Sequence, residues 1–159
     1  MILHIYTIVH VLISLAGIFS GFVGLLAAKR LNGWTALFLA TTVATSVTGF
    51  FFPFHGFTPA IGVGIISLLV LSIAIFARYP RQLAGHWRWI YVVTAMIALY
   101  LNVFVGIVQG FEKVPVLKAL APTQSEPPFK LTQLVVLALF VVLAIVAVIR
   151  FRSEQVCAA

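Results

Sequence analysis

Residues 134–149 read LVVLALFVVLAIVAVI, a run in which no position carries a polar side chain. A strand of a membrane barrel alternates between apolar and polar residues, and this segment does not alternate. A segment that is apolar on every side and lies in lipid must satisfy its own backbone hydrogen bonds, which an α-helix does. The run therefore predicts a transmembrane helix.

The composition places the whole chain in the same class. Of its 159 residues, 63% are hydrophobic and 8% are charged, and the mean hydropathy is +1.19. A soluble domain is nearer half apolar and a quarter charged. The formal charge of +7 comes from Lys and Arg residues that lie almost entirely between apolar segments. This placement favours the lipid bilayer as partner and gives no reason to expect nucleic acid.

Five stretches are long and apolar enough to cross a bilayer, for which a helix needs about 20 residues. The sequence predicts a single transmembrane domain over residues 1–159, an all-α bundle of five helices. Its spans are residues 5–28, 34–52, 59–77, 89–111 and 131–149.

Basic residues between the spans predict the orientation, because positively charged loops stay in the cytoplasm. One side would carry Lys29, Arg30, Arg78, Arg81, Arg88, Arg150 and Arg152, and the other Lys113, Lys118 and Lys130. We therefore expect the amino terminus outside and the carboxyl terminus in the cytoplasm.

Two predicted outer loops differ in character. PFHGFTPA, residues 53–60, joins spans two and three through a proline, a glycine and a second proline, which predicts a tight turn. The stretch 112–130 contains APTQSEPPF, and its prolines suit either an ordered, extended cover over the bundle or a flexible linker.

Small residues predict close helix packing, because lipid provides no hydrophobic drive for helices to associate. Gly17, Gly21 and Gly24 lie in the first span, and Ala36, Ala40 and Ala44 repeat every four residues in the second. The partner of each face, within the chain or in a second copy, is left open.

Polar residues within the predicted spans gather toward the outer side. They are His10, Thr45, Thr48, Asn102, Gln109 and Gln133, with His55 in the outer turn. Intramembrane polar residues usually face the bundle interior, which predicts a small polar pocket near the outer leaflet. The alternative is that the amide side chains only hold helices together by hydrogen bonds.

Three kinds of function remain open on this reading. The chain contains no Asp, and its three Glu lie outside the spans, so no catalytic signature and no metal site is expected. The leading hypothesis is a non-enzymatic protein, either an accessory subunit of a larger membrane complex or a homo-oligomer with a small polar site. The alternatives are a redox protein that binds haem b or quinone near the histidines, and a small-solute channel or transporter formed by an oligomer.

Three further stretches carry a resemblance: TTVATSVTGFFFPFHGFTPA at 41–60, WRWIYVV at 87–93 and LKALAPTQSEPPF at 117–129. With them, most of the chain resembles a group of uncharacterised small bacterial multi-span integral membrane proteins. The resemblance implies the bacterial inner membrane as location, with a periplasmic outer face. It carries over no activity and no functional residue.

Overall fold

The computed structural model describes residues 2–27, 33–53 and 59–151, and within these ranges it contains helices and no strand. Helix α1 covers Ile2–Gly21 and continues as a π-helical segment, Phe22–Ala27. It is followed by α2 (Gly33–Gly49), α3 (Pro59–Arg78), α4 (Trp87–Lys113), α5 (Pro115–Leu120) and α6 (Pro127–Arg150). The prediction of an all-α fold is confirmed.

Four helical segments of the described chain are long and apolar enough to cross a membrane. They are Ile2–Ala27, Ile61–Arg78, Trp87–Lys113 and Pro127–Arg150. Helix α2 has 17 residues, a length of about 25 Å at 1.5 Å per residue, which is less than the roughly 30 Å of a hydrocarbon core. The helices define a multi-pass membrane protein with four membrane-capable helices and a shorter α2 beside them.

Helix α2 ends three residues before the end of the predicted span 34–52. The ring of Pro53 would clash with the carbonyl of Gly49, four residues earlier, and Pro53 has no N–H to donate to it. Phe50 and Phe51 instead donate their N–H groups to carbonyls three residues back, each at 3.1 Å. The α-helix therefore stops at Gly49 and a tighter turn carries the chain on.

The long helices run antiparallel in chain order, which gives the bundle two distinct ends. We call the end that holds Arg78, Arg81 and Arg88 the arginine end. The opposite end, where α1 begins at Ile2 and α4 finishes at Lys113, is the mouth end.

Glycines set the distance between α1 and its neighbours. A Cβ on Gly24 would lie 2.7 Å from Thr35 Cγ2 and 3.0 Å from the Thr35 backbone nitrogen. A Cβ on Gly21 would lie 2.8 Å from side-chain atoms of both Phe38 and Leu99. Carbon atoms pack best at about 3.5–4.0 Å, so any larger residue at either position would push the helices apart.

The packed core of α1–α4 is concentrated near the arginine end. Its fully or nearly fully buried side chains include Leu25, Phe38, Leu39, Leu71, Ala74, Tyr91, Val92, Ala95, Met96 and Leu99. Apart from Phe111, the buried residues of these helices reach no further toward the mouth end than the level of Gly17, Thr42, Ser67 and Asn102. The bundle is therefore closed at one end and less densely packed at the other.

Two arginines tie helices together at the arginine end. Arg78 Nη1 donates to Thr35 Oγ1 at 2.7 Å, which joins α3 to α2. Arg88 Nη1 donates to the carbonyls of Val148 at 3.3 Å and Phe151 at 2.5 Å. These carbonyls lie at the C-terminus of α6, where a cation offsets the negative end of the helix dipole.

The stretch 112–130 lies at the mouth end beside α4, and much of it is helical rather than extended. After α5, the Glu126 carboxylate accepts hydrogen bonds from Thr123 at 2.8 Å and from the Ser125 N–H at 3.0 Å. Desolvation raises the pKa of this carboxyl, but the hydrogen bonds outweigh it, so the pKa of Glu126 lies below its ordinary value. Gln124 Nε2 donates to the Val108 carbonyl at 3.1 Å and fixes the turn to α4.

Candidate functional site

A cavity of about 570 Å³ opens at the mouth end between α1, α2, α3 and α4. Its polar lining residues are Thr7, His10, Ser14, Thr42, Thr45, Ser46, Ser67, Asn102, Gln109 and Lys113. Apolar residues such as Leu101, Val105, Ile61 and Val63 form the remaining wall. This volume lies within the range of small-molecule sites, and we call the cavity the mouth pocket.

The mouth pocket exists because the helix pair α1–α2 packs tightly against the pair α3–α4 only near the arginine end. From Lys113 down to Asn102 the pocket follows α4 over eleven residues, which is about 16 Å of helix. Below Asn102 the inward-facing side chains of α4, such as Leu99, Met96 and Tyr91, are buried in the core. The pocket therefore ends blindly in the middle of the bundle.

His10 is held in the pocket wall by a defined hydrogen bond. Its Nδ1 lies 2.8 Å from Thr48 Oγ1 on α2, and its ring meets the edge of Phe52 with centroids 5.2 Å apart. Thr48 Oγ1 also donates to the Ala44 carbonyl at 2.7 Å. A hydroxyl has a single hydrogen, so Thr48 accepts from His10 only while it donates to a backbone carbonyl, an arrangement in which Nδ1 carries the proton.

Further hydrogen bonds join α1 to α2 along the same wall. Tyr6 OH donates to the Thr48 carbonyl at 2.6 Å, and Ser14 Oγ lies 3.4 Å from Thr45 Oγ1. Ser14 Oγ also reaches the His10 carbonyl at 3.0 Å. These bonds satisfy the hydroxyls locally and fix the wall on which His10 stands.

The floor of the mouth pocket contains two polar atoms that have no hydrogen-bond partner in the described part of the chain. They are Thr42 Oγ1 and Asn102 Nδ2, in residues that are 2% and 9% exposed. Both lie about 3.2–3.3 Å from the point at which a Cβ on Gly17 would stand. Leaving a buried donor unpaired costs about 1–3 kcal/mol, so the floor is not optimised for packing alone.

The charge of the pocket is positive or neutral. Lys113 stands at its rim, and among the described lining residues none carries a carboxylate. In the described part of the chain, no group of three or more His, Cys, Asp or Glu side chains lies close enough to hold a metal ion. The pocket thus offers one cation, one imidazole, hydroxyls and amides.

The structure brings most of the polar residues singled out from the sequence to one place. His10, Thr45, Asn102 and Gln109 line the mouth pocket, and Thr48 supports His10 from behind. Gln133 does not join them. It lies between α6 and α4, where Nε2 is 3.4 Å from the Phe104 carbonyl and Oε1 has no hydrogen-bond partner among the residues that the structure describes. His55 lies outside the described residues.

The glycines of the first span pack closely against α2, whereas the alanine row of α2 does not pack against α1. The three glycines of α1 and its π segment meet Thr35, Phe38, Thr41 and Thr42 of α2. The alanine row of α2 is not the surface that meets them, since Ala40 is exposed and Ala36 and Ala44 are half-buried. The polar side of α2 therefore faces α1, and the alanine row lies to the side.

Several lining residues escaped the reading of the sequence. Thr7 and Ser14 stand three and four residues from the predicted His10, which places them on its face of α1, and Thr42 and Ser46 form a similar row on α2. Lys113 was assigned to an outer loop as a topology signal, whereas α4 extends to it and brings it to the pocket rim. The spacing of polar residues along a helix is the sequence signal that could have found Thr7 and Ser14.

Comparisons with protein-family models, with curated proteins and with solved structures found no match. The class is therefore defined by the fold and the pocket: a helical multi-pass membrane protein with a blind polar cavity at one end of its bundle.

Proposed function

We propose that α2 is a fifth span, so that the chain crosses the bilayer five times. The support is the run of contacts that pairs α2 with α1 along its whole length. At the mouth end Tyr6 bonds to Thr48, and near the arginine end Gly24 packs on Thr35. A helix that follows a membrane-capable partner over this distance occupies the same depth, and its short length is extended by the turn after Gly49.

The mouth end then faces outward, with the amino terminus outside and the carboxyl terminus in the cytoplasm. The support is the concentration of Arg78, Arg81 and Arg88 at the opposite end, together with the positive-inside rule. The resemblance to small bacterial multi-span proteins suggests the inner membrane, in which the mouth pocket would open to the periplasm.

The function that the geometry supports best is non-enzymatic binding of a small membrane-soluble or periplasmic molecule in the mouth pocket. One observation carries it: a pocket of about 570 Å³ whose buried floor keeps Thr42 Oγ1 and Asn102 Nδ2 without partners. Native proteins leave few such groups unpaired, and a ligand is one reason for them to persist.

The protein would act as an accessory subunit of a membrane complex or as a homo-oligomer. The exposed position of Ala40 supports this part of the proposal, because small residues on an outer helix face let a second helix approach closely.

The redox alternative rests on His10, whose Nε2 makes no hydrogen bond within the described chain. Haem with two histidine ligands would need a second imidazole beside it, and among the described lining residues His10 is the only histidine. A visible absorption spectrum of the purified protein tests this alternative directly, since haem b would give a Soret band.

The channel or transporter alternative would need a path through the arginine end. The buried side chains of Phe38, Tyr91 and Leu99 fill that half of a single copy, so a continuous path would have to form between copies or after a rearrangement.

Ligand binding is tested by native mass spectrometry of the protein released from nanodiscs. Gly106 lines the pocket and has open space at its Cβ position, so Gly106→Phe fills the cavity without a backbone clash. Val135→Phe adds a similar side chain on the exposed face of α6 and is the matched control. We expect a bound small molecule in the wild type and in Val135→Phe and its loss in Gly106→Phe. Equal retention in both variants, or none in the wild type, would contradict the proposal.

A further inference from the structure

The tautomer of His10 limits what the mouth pocket can recognise, and this inference rests on the ligand-binding function proposed above. Thr48 Oγ1 stands 2.7 Å from the Ala44 carbonyl and 3.2 Å from the Thr45 carbonyl. When either carbonyl holds the single hydroxyl hydrogen, Thr48 presents only a lone pair toward His10. In that arrangement the 2.8 Å contact places a proton on Nδ1 and, in a neutral ring, leaves a lone pair on Nε2.

The surroundings of His10 favour the neutral ring. The described lining residues include Lys113 as a cation and no carboxylate that would balance a second positive charge. Apolar neighbours, among them Phe52 against the ring itself, solvate an imidazolium poorly. The Nε2 atom is thus a hydrogen-bond acceptor.

Nε2 also has no protein donor. It makes no hydrogen bond in the described chain, and it is not among the fully buried atoms that lack partners. Because His10 lines the mouth pocket, the acceptor is left to whatever enters it. A ligand that presents only carbonyl or ether oxygens cannot use it.

We propose that the mouth pocket selects ligands that donate an O–H group to His10 Nε2, that is, membrane-soluble alcohols or phenols in preference to ketones, ethers or quinones. The apolar wall formed by Leu101, Val105 and Ile61 accommodates the hydrocarbon part of such a molecule. Thr48 is a positioning residue, because it acts on the ligand only through the tautomer of His10.

The test compares 4-hexylphenol with 4-hexylanisole, which has the same ring and chain but no O–H. Binding to the protein in nanodiscs is measured by calorimetry, with empty nanodiscs subtracted for partition into lipid. A single net hydrogen bond changes affinity about fivefold, so the phenol is expected to bind about fivefold more tightly than the anisole. Nitrogen-15 spectra of histidine-labelled protein should show a protonated Nδ1 at His10, and its Nε2 signal should shift with the phenol alone.

Variants separate the tautomer from simple packing. Thr48→Val keeps the shape but removes the acceptor, so Nδ1 loses its reason to hold the proton and the preference should fall to about one. Thr48→Ser keeps the hydroxyl and should keep the preference, and His10→Phe should abolish it. The nitrogen-15 spectrum of Thr48→Val verifies that the protein is folded.

The outcomes bear differently on the two proposals. If phenol and anisole bind the wild type equally, or if Thr48→Val keeps the full preference, the inference is overturned while the pocket still binds ligands. A site occupied only by water would also treat the two probes alike and would overturn it. If neither probe binds and native mass spectrometry finds no bound molecule, both the inference and the ligand-binding function fail.

Discussion

Replacement of Gly24 by alanine should weaken the fold by a predictable amount. The new methyl group would lie 2.7 Å from Thr35 Cγ2 and 3.0 Å from the Thr35 backbone nitrogen. Since carbon contacts are most favourable at about 3.5–4.0 Å, the π segment and α2 must separate by roughly 1 Å. Overpacking of this kind costs about 1–3 kcal/mol, which corresponds to a fall in Tm of about 2–12 °C for a protein of this size.

The assay is thermal unfolding in detergent, followed by tryptophan fluorescence, because Trp34 lies next to Thr35 on α2. Gly106→Ala is the matched control. Nothing lies within 4 Å of a Cβ at Gly106, and alanine is the better helix former, so its Tm should be unchanged or slightly higher. If Gly24→Ala unfolds at the same temperature as Gly106→Ala, the helices are not in the close contact described.

Three further substitutions test other parts of the fold. Asn102→Leu removes an unpaired buried donor and should raise the stability of the ligand-free protein by about 1–3 kcal/mol; a loss of stability would indicate that Asn102 holds helices together. Arg88→Ala removes hydrogen bonds to the Val148 and Phe151 carbonyls and should lower the stability of the end of α6 by about 1.5–3 kcal/mol. Amide exchange at the end of α6 should then be faster, and unchanged exchange would contradict the role of Arg88 as a cap. The pKa of Glu126 is lower in the folded protein than in the unfolded chain. The ionised carboxylate therefore stabilises the turn before α6 fully above the unfolded pKa, and this stabilisation is lost as the pH falls through the folded pKa. Acid should therefore speed intrinsic-rate-corrected exchange in the turn before α6 in the wild type but not in Glu126→Gln, and equal behaviour of the two would contradict this role.

The helices themselves could be predicted from the sequence because lipid leaves few alternatives. A run such as 134–149 has only one way to satisfy its backbone in a bilayer, and the structure has α6 there. The end of α2 at Gly49 also follows from Pro53 once the clash with the carbonyl four residues back is considered. The π-helical segment Phe22–Ala27 has no comparable signal in the residues, and we have no physical account of it.

The pocket was predictable in part. His10, Thr45, Asn102 and Gln109 were grouped by their depth in the predicted spans, and depth is enough to place residues at one level. Depth does not give the direction in which a residue faces. Gln133 has a similar depth but points from α6 toward α4, away from the cavity.

The unpaired floor and the tautomer of His10 could not be predicted from the sequence. Both depend on distances between helices that only packing determines, such as the 2.8 Å between His10 and Thr48. The conformation of residues 112–130 could not be predicted for the same reason, since prolines permit a loop but also begin helices, as Pro115 and Pro127 do here.

Labelling of single cysteines in intact bacterial cells with a membrane-impermeant maleimide tests the central claim most directly, namely that five crossings place the mouth pocket outside and the arginine end inside. In a Cys157→Ala background, Leu3→Cys, Phe51→Cys and Glu112→Cys report on the mouth end and Tyr79→Cys on the arginine end, all at exposed positions. We predict that the first three react in intact cells and that Tyr79→Cys reacts only after permeabilisation. Labelling that places Tyr79→Cys on the same side as Leu3→Cys, with Phe51→Cys and Glu112→Cys on the opposite side, would mean four crossings without α2 and would contradict the account.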